Sequence, residues 1–157
     1  MAAKMGVAFD MSGAEAGAAM TGMRSIFKLS QDDVIKLGDA YNYLDNSMDT
    51  TAKDLVQIAN RAGSTADLFG LTGQQLGALG ATFKAMKTPT EVAGTAINAM
   101  LMKLATADKQ GDKFANALSN IGLSAEGLKE AIAQAVRREI ERIEREKSAM
   151  NRGRLHD

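Results

Sequence analysis

Residues 72–105 read TGQQLGALGATFKAMKTPTEVAGTAINAMLMKLA, and this stretch decides the fold class. Its apolar residues recur at threes and fours, the period of a helix face rather than the alternation of a strand. Thr72 and Gln75 fit a capping box, in which each side chain satisfies the other residue's backbone N–H in the first turn. Leu76, Leu79, Phe83 and Met86 follow as the predicted buried stripe. Gly73, Gly77 and Gly80 each weaken that helix by up to about 1 kcal/mol relative to alanine, so they predict a compensating close approach of two helices. Thr88-Pro89-Thr90-Glu91 predicts a second start, with Thr88 as N-cap, Pro89 at the first helical position and Glu91 closing a capping box. Val92, Ala96, Ile97, Met100, Leu101 and Leu104 give this second helix a wide apolar face, which predicts a central position.

The same grammar extends in both directions. Ser12 to Lys28 predicts a helix rich in Ala, Gly and Met, with Gly13 and Gly17 four apart and Ala14 and Ala18 beside them, a smooth face suited to close packing in a bundle. Ser30 is a good N-cap, Asp32 and Asp33 suit the positive end of the helix dipole, and Val34, Leu37, Tyr41, Leu44 and Met48 form an amphipathic stripe. After Asp49-Thr50-Thr51, a helix with Leu55, Ile58 and Ala62 inward is expected to stop at Gly63, with Ser64 capping a short turn from Thr65 to Phe69 that ends at Gly70. Towards the C-terminus, Phe114, Leu118 and Ile121 mark a helix that Gly122 stops. Ser124 then caps a last helix whose stripe is Leu128, Ile132, Val136, Ile140 and Ile143. Leu29-Ser30 with Val34, Leu71-Thr72 with Leu76, and Leu123-Ser124 with Leu128 are three hydrophobic staples, which fix the angle at which the chain enters a helix. Their spacing is too unequal for a solenoid repeat.

The totals agree with a helical scaffold. Hydrophobic residues make up 45% of 157, yet aromatics are only 4% and Trp is absent, so the core is built from Ala, Leu, Ile, Val and ten Met. Without Cys there are no disulfides or thiolate metal sites. The 19 basic and 19 acidic residues cancel, so no overall field draws the chain to nucleic acid or to an anionic membrane. Residues 137–157 hold seven of the basic and five of the acidic side chains, a charged segment of about +2 against about −2 elsewhere. No secretory signal is visible, and the uncharged run from Val92 to Met102 falls short of the roughly 20 apolar residues that span a bilayer.

Each pattern that could carry chemistry has a plainer structural explanation. His156 is the single His and stands next to last, so a zinc site lacks partners. The carboxylate pairs Asp32/Asp33 and Asp108/Asp112 read as helix starts rather than as glycosidase acids. Asp45, Asn46, Asp49 and Thr50 lack the central Gly and terminal Glu of a calcium loop, and fit a turn between helices. Gly70, Gly73, Gly77 and Gly80 have no strand before them and no Gly-Lys-Ser/Thr after them, so helix packing is preferred to a phosphate loop. A helix-turn-helix reading of 72–103 fails because its recognition helix would open on Thr90, Glu91 and Thr95, with its first basic residue at Lys103. Met48, Met86, Met100 and Met102 are expected to fill the core, with an adaptable binding groove as the alternative. In 137–147, Glu141 and Arg145 form a favourable i, i+4 pair, and Val136, Ile140, Ile143, Lys147 and Met150 approximate a coiled-coil seam. That helix is either a solvated end or a contact with a partner.

Leu76-Gly77-Ala78-Leu79-Gly80-Ala81, Pro89-Thr90-Glu91-Val92-Ala93-Gly94-Thr95-Ala96-Ile97-Asn98-Ala99-Met100-Leu101, Phe114-Ala115-Asn116-Ala117-Leu118 and Ile121-Gly122-Leu123-Ser124-Ala125-Glu126-Gly127-Leu128-Lys129 occur in that order. Together with Leu29-Ser30, Asp39-Ala40, Leu44-Asp45-Asn46-Ser47-Met48, Asp54-Leu55 and Ala62-Gly63, they resemble the core region of phage tail tape measure proteins over about residues 5–134. The resemblance implies a structural role without catalysis or cofactor. Such a protein scaffolds the tail tube and sets its length. Its place would be the tube lumen of the virion, and the host cytoplasm during assembly. Its implied partners are the tail tube protein, tail assembly chaperones and a baseplate or tail-tip initiator complex. Family members run to many hundreds of residues, so 157 residues cannot measure a tail unaided.

The expectation is therefore an all-α chain: six or seven short helices in a core segment over 1–134, then a longer charged amphipathic helix and tail over 135–157. No catalytic, cofactor-binding or metal-binding residue is expected, no specific nucleic acid, and no membrane span; the C-terminal helix is a possible means of self-association. The rival to the scaffold is a helical protein-interaction adaptor without catalytic activity.

Overall fold

The computed structural model describes residues 6, 7, 9–127, 130 and 134. Among them there is no strand, and six α-helices follow one another: α1 Gly13–Ile26, α2 Gln31–Ser47, α3 Ala52–Leu68, α4 Gly73–Ala85, α5 Thr90–Ala105 and α6 Asp112–Asn120, with a 3₁₀ turn at Ala107–Lys109. The chain is all-α, as its periodicity predicts. The expected charged helix beyond residue 134 lies outside the described residues. Two compact units are present: residues up to Asp67 with Leu71–Leu101, and Leu68–Gly70 with the residues from Met102 onward.

Local chemistry sets the helix starts of the first unit. Ser12 Oγ accepts from Glu15 N at 3.2 Å while Glu15 Oε2 accepts from Ser12 N at 2.8 Å, a complete capping box. Thr72 and Gln75 form a second box, and Ser30 Oγ accepts from Asp33 N at 3.1 Å. α3 has two caps: Thr51 Oγ1 accepts from Asp54 N at 3.0 Å, and Asp45 Oδ2 reaches back from α2 to accept from Ala52 N at 2.8 Å. The Thr88–Glu91 box expected for α5 does not form. Pro89 is itself the N-cap, its carbonyl accepting from Ala93 N at 2.9 Å, and the helix begins one residue later, at Thr90.

Four helix ends share one device. Lys28, Gly70, Lys87 and Gly122 each have positive φ, and the amide just after each donates back into the preceding helix: Leu29 to Arg24 O, Leu71 to Ala66 O, Thr88 to Phe83 O and Leu123 to Leu118 O. Three of these corners read alike, as Phe27-Lys28-Leu29-Ser30, Phe69-Gly70-Leu71-Thr72 and Ile121-Gly122-Leu123-Ser124, a helix stop fused to the next helix's cap. The predicted staples thus mark real corners, and Ser124 Oγ accepts from Gly127 N at 2.9 Å. Leu128 lies outside the described residues.

The core corrects three expectations. α3 does not stop at Gly63: it runs unbroken through Gly63-Ser64 to Leu68, because Gly63 is buried where another helix crosses rather than placed at an end. α3 is also the central helix, in place of α5. It buries Ala52, Leu55, Val56, Ile58, Ala59, Ala62, Gly63 and Ala66 on one broad face that admits Ile26 of α1 and packs on Gly80 of α4, while Lys53, Gln57, Asn60, Arg61 and Ser64 on its other face stay exposed; Val92 on α5 is exposed. Met86 is not in the α4 stripe, since the helix ends before it. Met86 and Met102 are exposed and Met48 and Met100 half-buried, while Met20 and Met23 fill the core instead. α2 buries Val34, Leu37 and Tyr41 as expected, packs against α1 on one side and α4 on the other, and leaves Leu44 half-buried.

In the second unit, Gly111 has positive φ and its carbonyl accepts from Phe114 N and Ala115 N, opening α6. The 3₁₀ turn packs on α6, and Ala107 and Leu118 are buried. Asp108 sits in that turn and Asp112 in the first turn of α6, the helix-start position the sequence reading gave it.

Candidate functional site: the glycine-lined helix interfaces

The glycines of α4 touch three other elements. A methyl group at Gly73 would lie 2.7 Å from Leu37 Cδ2 and 3.2 Å from Phe27 Cδ2. One at Gly77 would lie 2.5 Å from Tyr41 Cε1, and one at Gly80 would lie 3.1 Å from Ile58 Cδ1. α4 therefore presents a groove into which α2 lays Leu37 and Tyr41 and α3 lays Ile58. Tyr41 is fully buried, and its hydroxyl donates to Gly73 O at 3.1 Å, so the ring is tied to the backbone it packs on. Burial pushes its phenol well above the ordinary value. Elsewhere Gly63 on α3 admits Ile26 of α1, with 2.8 Å to Cγ2, and Gly94 on α5 admits the stem of Arg61. The packing explanation of the glycine cluster holds for Gly73, Gly77 and Gly80, and Gly70 serves as the corner residue.

A polar seam joins α3, α4 and α5. Thr90 Oγ1 donates to Asp54 Oδ1 at 2.5 Å, Lys84 Nζ donates to Thr90 Oγ1 at 3.0 Å, and Lys84 Nζ stands 3.4 Å from Asp54 Oδ2. Burial raises the Asp54 pKa. The hydrogen bonds from Thr90 and in the Thr51 cap, with the Lys84 charge, outweigh it and hold the carboxyl below its ordinary value. Thr65 Oγ1 donates to Asn98 Oδ1 at 2.5 Å between α3 and α5. Sequence reading missed both contacts, because Asp54 and Thr90 stand 36 positions apart and Thr65 and Asn98 33, and such partners leave no local pattern; only the Thr51–Asp54 cap had a readable signature.

The acidic positions are structural. Asp33 accepts from Ser30 Oγ at 2.6 Å and from Lys36 Nζ at 2.9 Å, and these partners lower its pKa, contrary to what a general acid needs. Glu15 is lowered by the Ser12 backbone and hydroxyl and by Lys53. Asp45 caps α3, Asn46 Nδ2 donates to Asn42 O at 2.7 Å, and Asp49 pairs with Lys87, so this stretch is a turn between helices. Thr50 Oγ1 beside them is buried without a hydrogen-bond partner. Among the described residues no three His, Cys, Asp or Glu side chains gather to hold a metal ion, and no helix is long and apolar enough to cross a membrane. His156 and the 137–147 charges lie outside the described residues. The face carrying Gly13 and Gly17 does not pack as expected: among the described residues nothing lies within 4 Å of a methyl group built at either position.

Helices jointed at corners, packed through glycines and with Glu15, Asp33, Asp45, Asp49, Asp54 and Asp67 held in caps and ion pairs, have the features of a structural module. The model of the family described as phage-related minor tail protein matches residues 1–151, and the chain belongs to that family. It is 40% identical over 121 residues to a protein of Halomonas phage phiHAP-1 described as a probable tape measure protein, a match that covers 74% of this chain and 14% of that protein. The chain thus spans about a seventh of the length of this relative. No solved structure matches.

Proposed function

We propose that this chain is a segment of the tape measure scaffold around which a phage tail tube assembles, and that its residues contribute to tail length. The observation that carries the reading is the 40% identity to the Halomonas phage protein, sustained over 74% of the chain rather than confined to one motif. The fold supports it: Asp33, Asp45 and Asp49 are engaged in capping and ion pairing, and Gly73, Gly77 and Gly80 in helix packing. In this reading the partners are the tail tube protein, tail assembly chaperones and the baseplate or tail-tip initiator complex, and the segment resides in the tube lumen of the virion after assembly in the host cytoplasm. The division into a core segment over 1–134 and a charged extension over 135–157 belongs to the same proposal, with the extension available for self-association.

The experiment is an in-frame deletion of these 157 residues from the parent phage protein, with tail lengths measured by electron microscopy. A scaffold that measures as helix should shorten the tail by about 235 Å, at 1.5 Å per residue. Unchanged length with normal assembly would overturn the length-setting role. The adaptor reading draws on the exposed Met86 and Met102. It predicts normal tail length and loss of a bound non-tail protein.

A further inference from the structure

Two corners of the first unit place a lysine where the other two place glycine. Lys28 has φ 51° and Lys87 has φ 61°, a left-handed conformation that costs a side-chain-bearing residue and not glycine. In both cases the lysine reaches a distant helix or turn: Lys28 Nζ lies 3.2 Å from Asp67 Oδ2 on α3, and Lys87 pairs with Asp49. The two corners differ in what else holds them bent. Beyond Lys87 stands Pro89, whose ring would meet the Ala85 carbonyl in a continuous helix. Around Lys28 the chain reads Ser25-Ile26-Phe27-Lys28-Leu29-Ser30-Gln31-Asp32, with neither proline nor glycine, and Lys, Leu and Gln are strong helix formers. Glycine at this point would favour the bend and oppose a helix; lysine does the reverse.

We propose that the Lys28 corner is a joint able to straighten, merging α1 and α2 into one helix from Gly13 to Ser47, and that the Lys28–Asp67 ion pair is its clasp. The bent state is also held by Leu29 N donating to Arg24 O at 3.0 Å, by Arg24 Nε donating to Leu29 O at 3.2 Å, and by Phe27, which is buried near Gly63 and Gly73. Straightening exchanges these for an unbroken backbone ladder and relieves the strain at Lys28. The clasp is partly exposed, so salt weakens it. The Lys87 corner, barred by Pro89, is the built-in control.

The chain has no Cys, so spin labels can be placed at will. Ala14→Cys and Asn46→Cys put labels at exposed sites at the far ends of α1 and α2, and pulsed dipolar spectroscopy reads their separation. A continuous helix holds these sites about 48 Å apart, at 1.5 Å per residue; the hairpin holds them on neighbouring helices. Asp67→Asn should raise the long-distance population about two- to fivefold, the range for releasing one exposed ion pair. Added salt should raise it in the parent, and Lys28→Gly placed in the Asp67→Asn background, where the clasp is already gone, should suppress it. A second label pair, Ala78→Cys with Ala99→Cys, should keep its distance when Asp49→Asn frees Lys87, and reports that the unit stays folded. A single short distance in every variant and at every salt concentration overturns the joint, and so does a long population that grows when Lys28→Gly is added to Asp67→Asn.

Discussion

Gly13 and Gly17 of α1 have the same spacing as Gly73 and Gly77 of α4, and the two pairs have opposite fates. The α4 pair is pressed against Leu37, Phe27 and Tyr41, while the α1 pair meets none of the described residues. A small-xxx-small motif states that a helix can be approached closely; it does not state that it is. The choice is made by what the facing helix offers. α2 turns Leu37 and Tyr41 towards α4, whereas α1 buries the neighbouring strip of Ala16, Ala19, Met20 and Met23 and leaves its glycines at the edge.

Substitution should separate the two pairs by sign. The largest effect is expected of Gly77→Ala. Its methyl group would stand 2.5 Å from the ring of Tyr41, which is buried and hydrogen-bonded and so has nowhere to move. Overpacking of this kind costs about 1–3 kcal/mol and outweighs the gain in helix propensity, so chemical denaturation followed by circular dichroism should show a clear loss of stability. If stability is unchanged, α4 does not approach α2 as described. Next comes Tyr41→Phe, which removes the hydrogen bond to Gly73 O and leaves the ring; about 1 kcal/mol should be lost, with the slope of the denaturation curve unaltered. Gly17→Ala should move the other way, gaining about 0.5–1 kcal/mol, because the methyl group enters open space and alanine loses less entropy on forming helix. A loss at this position would mean that the bare face of α1 is occupied in solution.

The smallest effect tests the polar seam. Asp54 is held below its ordinary pKa when folded, so the folded state binds its proton less readily than the unfolded one. Its contribution is present above the unfolded value and is lost as pH falls through the lower folded value. Thermal melts should therefore show the parent's advantage over Asp54→Asn at neutral pH shrinking in acid. An advantage that grows in acid would reverse the assignment.

Capping is where sequence reading succeeded, because a cap is settled within four residues. Ser30, Thr72 and Ser124 each do what their type and spacing predict. It failed where tertiary contact outvotes local preference. Gly63-Ser64 has the composition of a stop and start, yet α3 passes through it, since a helix crossed by Ile26 needs a position without a side chain there. The most apolar helix, α5, seemed central by hydrophobicity, but α3 buries more of its residues, because its alanines and Gly63 let neighbouring helices close on one broad face. At the Pro89 start the cap position slipped by one because Thr90 is engaged by Asp54 from another helix. The ion pairs between distant segments and the Thr65–Asn98 bond had no signature at all, since their partners are brought together only by the finished packing.

The seating of Tyr41 against α4 also makes the chain its own optical reporter. The protein has two tyrosines and no tryptophan, and they stand two residues apart on α2, one sealed inside and one 70% exposed. Collisional quenchers such as iodide should extinguish the emission of Tyr43 and spare that of Tyr41 as long as α2 and α4 remain together. The unquenched fraction then follows the separation of these two helices in the unlabelled molecule.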